Sequence, residues 1–205
     1  MNNITINYNF YYWGPYLYKT TFPKQYCEEL LEKGKKTKQQ ANKDLAGHIE
    51  KENYFDENDR LWFKEKSKHY FDSYIDTSRH FYGERISKSF EHKKLWINFM
   101  KKGEFNPMHV HNDDLSFVIF LQVPEELKKE NEKYEGTDKS VGPGGLIFLW
   151  GESNERFTTQ QKFFPKEGDF FIFPSRLRHM VYPFKSDVER ISVSGNIKLL
   201  EPTDK

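Results

Sequence analysis

Residues 106–121 read NPMHVHNDDLSFVIFL, and residues 168–196 read GDFFIFPSRLRHMVYPFKSDVERISVSGN. The first stretch places histidines and aspartates directly before an apolar run. The second adds another histidine, His179, and an arginine, Arg190, eleven residues further on. Residues at i and i+2 of an extended strand point to the same face, so one short segment can give a metal two ligands and a facing strand can give a third. The two stretches together predict a mononuclear metal site with open coordination positions.

The residue types narrow the choice of metal. Two histidines and a carboxylate on one side of an octahedron form the facial arrangement of non-haem Fe(II) oxygenases. Cys27 is the only cysteine, so a thiolate-rich structural zinc site cannot be built. The candidate metal ligands are His109, His111, Asp113 and His179.

Four motifs within residues 95–200 resemble the Fe(II)/2-oxoglutarate-dependent oxygenases, specifically the small oxygenases of bacteria and tailed phages. They are HVHNDDLSFVIFLQVP, PGGLIFLWGE, GDFFIFPSRLRHMVYPF and ERISVSGN. The resemblance implies that His179 is the distal iron ligand and that Arg190 pairs with the far carboxylate of 2-oxoglutarate. Arginine suits that role because its planar fork meets a carboxylate through two hydrogen bonds. Ser192 shares its strand face and could add a hydroxyl donor.

The first ligand pair stays open at the level of sequence. His111 and Asp113 match the H-x-D pattern of the superfamily, whereas His109 and His111 form an equally good pair at i and i+2. The related small oxygenases resemble this chain in an H-x-H. Residues 112–114 are also typical of a turn, which could aim Asp113 or Asp114 away from the metal. The third ligand is therefore His109, Asp113 or Asp114.

The segment RISVSGN, residues 190–196, indicates which way the side chain of Arg190 points. Arg190 stands beside Glu189 and could form half of an exposed ion pair of little energetic value. However, Arg190, Ser192 and Ser194 alternate with apolar residues and therefore share one face of a strand. A polar face flanked by apolar strands favours a lined cavity, into which Arg190 would point.

The whole chain fits one domain, with N-terminal strands and helices in residues 1–93 and a β core in residues 94–200. The segments 24–36 and 61–90 have helical spacing, the second as one long helix or a broken pair, and residues 34–44 are typical of a solvated linker. From Leu95 onward the period is two, which gives seven or eight strands. We expect a mainly β (α+β) fold, a double-stranded β-helix or cupin-like jelly roll, with N-terminal helices buttressing it. The polar insertion 125–145 is either a mobile lid or disordered.

Composition limits the partners and the compartment. The 32 basic and 31 acidic residues give a net charge of +1, which disfavours nucleic acid and an anionic membrane as partners. A single cysteine fits a reducing compartment, and the sequence shows neither a secretory signal nor an apolar run of membrane-spanning length. These features predict a cytoplasmic protein, or one in the host cytoplasm if a phage encodes it. The sequence leaves open whether the protein forms a homodimer.

The resemblance implies an Fe(II)- and 2-oxoglutarate-dependent dioxygenase, an oxidoreductase that couples decarboxylation of 2-oxoglutarate to succinate with C–H oxidation. Its primary substrate would be a protein side chain or a small metabolite, and the expected reaction is hydroxylation. Two alternatives compete with this hypothesis. One is a cupin-type metal enzyme that does not use 2-oxoglutarate, and the other is a non-catalytic jelly-roll protein whose histidines are incidental.

Overall fold

The computed structural model describes residues 14–82, 88–134, 142–151 and 159–200. The alternation of Ile4, Ile6, Tyr8 and Phe10 in the sequence predicts a strand, but these residues lie outside the described ranges. Described strands and helices alternate in the N-terminal part of the chain, and strands dominate from Phe90 onward.

Eleven strands are present within the described ranges. They are β1 (Tyr18–Thr21), β2 (Gln39–Gln40), β3 (Lys51–Tyr54), β4 (Phe90–Met100), β5 (Asn106–His109), β6 (Leu115–Gln122), β7 (Leu146–Leu149), β8 (Gln160–Phe163), β9 (Asp169–Pro174), β10 (Arg178–Val181) and β11 (Arg190–Leu199). The helices there are α1 (Lys24–Lys36), α2 (Glu57–Tyr82) and α3 (Glu125–Glu132), with a single 3₁₀ turn at Asn42–Asp44.

The strands form two antiparallel sheets. The larger sheet has the order β1-β9-β6-β11-β4-β3-β2, and the smaller has the order β5-β10-β7-β8. The two sheets pack face to face, because Phe120 and Phe173 of the larger sheet share a buried cluster with Phe148 and Val181 of the smaller one. This arrangement is the predicted double-stranded β-helix.

The outer face of the larger sheet carries the helices. Along β6, the residues with odd numbers from Leu115 to Leu121 belong to the same buried cluster as α1 and α2. The Phe117 ring lies 5.1 Å from the Phe63 ring and 5.3 Å from the Phe71 ring of α2, measured between ring centroids. Because successive side chains of a strand alternate between faces, the residues with even numbers point between the sheets, where the polar face of β11 also points.

Two predictions about connecting segments need correction. The insertion 125–145 is not a continuous loop, because α3 forms at its start after Pro124 and buries Leu127 completely. Proline is favoured at a helix start. Besides Leu127, the Glu130 carboxylate holds this helix in place by accepting hydrogen bonds from the backbone N–H groups of residues 185 and 186. The linker 34–44 is likewise structured in part, since α1 runs to Lys36 and β2 pairs with β3. Residues 135–141 lie outside the described ranges.

The predicted helical segment 61–90 forms one unbroken helix as far as Tyr82, within α2 of 26 residues. The predicted end at residue 90 is wrong, because Phe90 already begins β4. Helix α2 buries Phe63, Phe71 and Tyr74 against the larger sheet, whereas Leu61 is 54 % exposed. None of the helices in the described ranges is both long enough and apolar enough to cross a membrane.

A partly buried histidine, His92, packs against α2, outside the polar interior. The His92 ring makes edge contacts with the rings of Phe63 and Phe71 at centroid distances of 5.6 and 5.1 Å, and its Nε2 atom is buried without a hydrogen-bond partner. Burial, together with the nearby positive charge of Lys64, lowers the pKa of His92 to about 4. The ring is therefore neutral in the folded protein at neutral pH.

We expect this histidine to make the fold sensitive to acid. Between pH 6.5 and 4 the unfolded chain binds a proton at His92 that the folded chain does not bind, so stability falls as the pH falls through that window. The loss attributable to His92 is about 2 kcal/mol at pH 4.5. Urea unfolding at pH 7 and 4.5 measures it: His92→Phe should reduce the pH dependence by that amount, and His69→Phe, at an exposed position, should not. An unchanged pH dependence in His92→Phe would contradict this account.

Candidate metal centre

Three histidines converge at one end of the smaller sheet. His109 ends β5, His111 lies two residues further on, and His179 is in β10, directly opposite His109 in the strand register. The backbone N–H of His111 donates to the carbonyl of Ser175, which ties the segment after β5 to the turn before β10. The ring centroids are separated by 4.2 Å (His109 to His179), 4.9 Å (His109 to His111) and 5.2 Å (His111 to His179).

The geometry suits one metal ion. Each ring offers a nitrogen atom, and the three nitrogens lie within 4.8 Å of one another. Metal–nitrogen bonds of about 2.1 Å place neighbouring ligand atoms roughly 3 Å apart, so only small side-chain rotations separate this arrangement from a coordinated one. In the described ranges, this is the one group of three or more potential ligands that lies so close together.

The protonation states suit a metal as well. Burial is the main cause that lowers the pKa of His111 to about 4 and lowers those of His109 and His179. The Nδ1 atoms of His109 and His179 each lie 2.8 Å from a backbone carbonyl, that of Pro107 and that of Leu177. A carbonyl can only accept, so each Nδ1 carries the proton and each Nε2 presents a lone pair. The rings are therefore neutral and oriented as metal ligands would be.

Asp113 and the neighbouring Asp114 lie outside the histidine cluster. Asp113 is half-buried in the turn between β5 and β6 and does not belong to the cluster of potential ligand atoms. Asp114 accepts a hydrogen bond from the backbone N–H of Leu199 at 2.8 Å and forms an ion pair with Lys198 at 3.1 Å. The structure therefore brings His109, and neither aspartate, together with His111 and His179.

Arg190 is buried in the same interior and is 2 % exposed. Its Nη1 donates to the carbonyl of Gly144 at 2.9 Å, its Nη2 contacts the sulfur of Met100 at 3.0 Å, and its guanidinium lies over the Phe120 ring at 5.2 Å. Its Nε has no partner. No ion pair with Glu189 or another carboxylate forms within the described ranges, and burial lowers the pKa of Arg190 to about 10. The cation is retained at neutral pH without an internal counter-ion from these residues.

A row of polar side chains lies between Arg190 and the histidines. Ser192 pairs in register with Asn98 of β4, and the Asn98 Nδ2 lies 3.4 Å from the hydroxyls of Ser192 and Ser194. The next pair along the sheet is Ser194 with Trp96, whose ring lies 6.0 Å from that of His111. The predicted polar face of β11 thus runs from Arg190 to the three histidines.

One cavity joins these elements. The three histidines, Arg190 and Ser192 all line it, and Phe120 and Phe173 contribute apolar walls. The volume of this cavity is about 50 Å³, several times the volume needed to hold one water molecule. Phe171 of β9 belongs to the buried cluster between the sheets and does not line this cavity.

Sequence reasoning missed several residues that line this cavity, among them Glu52 and Asn98. Asn98 carried a usable signal, because it is the one polar residue in the strand segment LWINFM. Glu52 carried none, since KENY is a short polar segment that is equally typical of an exposed loop. Only the pairing of β3 with β4 places its carboxyl beside the interior.

A double-stranded β-helix that holds clustered neutral imidazoles is the setting of a mononuclear non-haem metal enzyme. A family model described as "Putative 2OG-Fe(II) oxygenase" matches residues 94–196. The chain belongs to this family. It is an Fe(II)- and 2-oxoglutarate-dependent oxygenase, and the donor set described above fits the iron.

Solved structures share the fold. The viral collagen prolyl hydroxylase of Paramecium bursaria Chlorella virus-1, in complex with 2-oxoglutarate, is 15 % identical, with a TM-score of 0.59 over 90 % of this chain and 97 % of the other. A Pseudomonas putida prolyl-4-hydroxylase is 13 % identical, with a TM-score of 0.55 over 90 % and 92 %. HygX from Streptomyces hygroscopicus, with nickel, 2-oxoglutarate and hygromycin B bound, is 9 % identical, with a TM-score of 0.56 over 89 % and 82 %. No curated protein matches the sequence.

Proposed function

We propose that this oxygenase is a hydroxylase in which His109, His111 and His179 hold Fe(II) while Arg190 and Ser192 hold the far carboxylate of 2-oxoglutarate. One observation carries the proposal: a fully buried arginine without a carboxylate partner in the described ranges lines the same cavity as the histidine triad. The other assignments follow from the positions of the side chains relative to that arginine.

Arg190 is a cation that the fold removes from water. A charged group taken out of water is expensive unless an opposite charge and hydrogen bonds compensate it. Arg190 is held by one carbonyl, one sulfur and one aromatic ring, and its Nε is unsatisfied. A carboxylate supplies the missing charge and accepts two hydrogen bonds from the guanidinium fork. Binding of an anionic ligand therefore stabilises the buried Arg190 cation, which the described residues leave without an opposite charge.

The spacing along β11 suits a small dicarboxylate. Ser194 marks the level of His111 through its pairing with Trp96, and Arg190 lies four residues away on the same face. Four residues of strand span about 13 Å, a distance that an arginine side chain and a five-carbon acid can bridge together. Ser192 lies midway and points its hydroxyl to the same side.

When bound, Fe(II) and 2-oxoglutarate supply O₂ activation coupled to decarboxylation of 2-oxoglutarate to succinate and CO₂, with oxidation of a substrate C–H bond. The protein's own residues orient and shield this chemistry. The carbonyls of Pro107 and Leu177 fix the directions of two imidazoles, and Phe120 and Phe173 exclude water from the interior.

The primary substrate is a protein side chain or a small molecule. Structures of the same fold include a collagen prolyl hydroxylase and a protein with hygromycin B bound, so the scaffold accommodates both kinds of substrate. The near-neutral net charge of +1 gives this chain no general attraction for nucleic acid.

Oxygen-isotope labelling tests the proposed hydroxylation. The enzyme is supplied with Fe(II), 2-oxoglutarate and oxygen-18 gas, and proline-rich peptides and metabolite pools are screened for compounds that accelerate succinate formation. We expect the product of an accelerating compound to gain one labelled oxygen atom. Loss of two hydrogens without oxygen gain, at the same rate of succinate formation, would contradict hydroxylation while leaving the oxygenase family assignment intact.

A further inference from the structure

Glu52 is a buried acid in the wall of the catalytic cavity. It lies on β3, is 1 % exposed and lines the same cavity as the three histidines and Arg190. Its Oε2 atom has no hydrogen-bond partner, and no basic side chain of the described ranges forms an ion pair with it. Burial and the neighbouring Glu104 carboxylate raise the pKa of Glu52 to about 7. Burial of an unpaired carboxyl group in this position lowers the free energy of unfolding.

A second unpaired acceptor lies beside it. Glu52 pairs in register with Asn98 on β4. The amide nitrogen of Asn98 is directed to Ser192 and Ser194, which leaves its Oδ1 buried without a partner. Two buried oxygen acceptors therefore line the cavity side by side, and both are unsatisfied in a protein interior where most buried polar groups are paired.

The wall next to Glu52 reaches the surface. Leu45 and Ala46 line the same cavity, and Ala46 is exposed. At Gly47, a Cβ atom would lie only 2.7 Å from Oε1 of Glu52 and from Oδ1 of Asn106. The absence of a side chain at Gly47 thus lets this loop pack directly on the carboxyl.

We propose that Glu52 and Asn98 form the substrate-selecting part of the site and receive a cationic nitrogen, an ammonium or guanidinium group, of the primary substrate. This inference rests on the function proposed above. A nitrogen cation satisfies both oxygens and neutralises the carboxylate. The two ligands are also sorted by charge. Glu52 repels 2-oxoglutarate and Arg190 attracts it, whereas Glu52 attracts a cationic substrate and Arg190 repels it.

Matched probe pairs test the inference. Nα-acetyl-arginine amide is compared with Nα-acetyl-citrulline amide, which has the same shape without the charge. Nα-acetyl-lysine amide, with a free side-chain ammonium group, is compared with its 6-hydroxynorleucine counterpart. Calorimetric titration into the anaerobic enzyme loaded with Fe(II) and 2-oxoglutarate gives each dissociation constant. We expect wild type to bind one of the two cations at least about tenfold more tightly than its neutral partner, because the neutral probe leaves the buried acid unpaired.

The variants locate the effect. Glu52→Gln keeps the shape of the side chain and removes its charge, so the preference for the cation should fall to within about twofold. Glu50→Gln alters an exposed acid two residues away and should keep the preference. Both variants should bind Fe(II) as wild type does, which shows that they are folded, and Glu52→Gln should bind 2-oxoglutarate at least as tightly as wild type because the repelling carboxylate is gone.

Two failures are distinguishable. If wild type holds Fe(II) and 2-oxoglutarate but binds both members of each pair equally, or binds neither, Glu52 and Asn98 form a water-bridged structural pair and the inference is wrong. The same holds if Glu52→Gln retains the full preference. If wild type does not hold 2-oxoglutarate, the proposed function itself fails, and that result comes from a separate titration.

Discussion

Arg190→Ala is expected to raise the dissociation constant for 2-oxoglutarate by roughly a hundredfold, because truncation of one partner of a buried charge pair costs several kcal/mol. The iron affinity should change little, since Arg190 does not belong to the histidine cluster. Equilibrium titration of the Fe(II)-loaded protein with 2-oxoglutarate under anaerobic conditions measures the effect.

Two further variants sharpen this result. Arg190→Lys keeps a positive charge without the planar fork, so its affinity should lie between those of wild type and Arg190→Ala. Arg176→Ala removes an exposed arginine from the turn before β10 and should leave the affinity for 2-oxoglutarate unchanged. Because Arg190 is fully buried, thermal unfolding of each variant is recorded alongside. A folded Arg190→Ala protein that binds 2-oxoglutarate as wild type does would remove Arg190 from the co-substrate site.

His179→Ala is expected to weaken Fe(II) binding by at least about a hundredfold, since loss of an outer-shell partner alone typically costs ten- to a hundredfold in metal affinity and His179 is proposed to bind the metal directly. The His179 ring lies 4.2 Å from the ring of His109 and 5.2 Å from that of His111, between centroids, and His179 is the most buried of the three. Competition with a chromophoric chelator measures the affinity. His69→Ala, on the exposed side of α2, is the control and should bind iron as wild type does. Stoichiometric, tight iron in His179→Ala would contradict the ligand assignment.

The same assay decides between His109 and Asp113. His109→Ala should lose iron to a similar degree as His179→Ala, whereas Asp113→Ala should bind it within about twofold of wild type, because Asp113 does not belong to the cluster of ligand atoms. The reverse order would mean that the turn of residues 112–114 rearranges when iron binds and that the literal H-x-D pattern describes the site.

The β core was predictable because its signals are local. Strict alternation in RISVSGN places Arg190, Ser192 and Ser194 on one face, and the structure directs that face into the cavity. The spacing of His109 and His111 likewise places both rings on one side. The choice between His109 and Asp113 was not local. It depends on β10 pairing with β5 so that His179 faces His109, and on Asp114 being held by Lys198 and the end of β11.

Glu52 shows where sequence reasoning stops. Nothing in KENY marks a buried acid, since its burial results from the pairing of β3 with β4 and from the loop at Gly47. Helix α3 was hidden for a related reason. Its segment is polar throughout except for Leu127, and one buried apolar residue leaves too weak a periodicity to be recognised. The hydrogen bonds that Glu130 accepts from the backbone of residues 185 and 186 leave no signal in the sequence.

The most direct test of the account is an anaerobic titration of the purified protein with 2-oxoglutarate in the presence of Fe(II), followed by visible absorption. The account predicts a weak charge-transfer band that saturates at one equivalent of 2-oxoglutarate, requires the histidine triad and shifts to much higher 2-oxoglutarate concentrations in Arg190→Ala. Iron that binds without any band on addition of 2-oxoglutarate would contradict the proposed co-substrate site, and a failure to bind iron would contradict the metal centre itself.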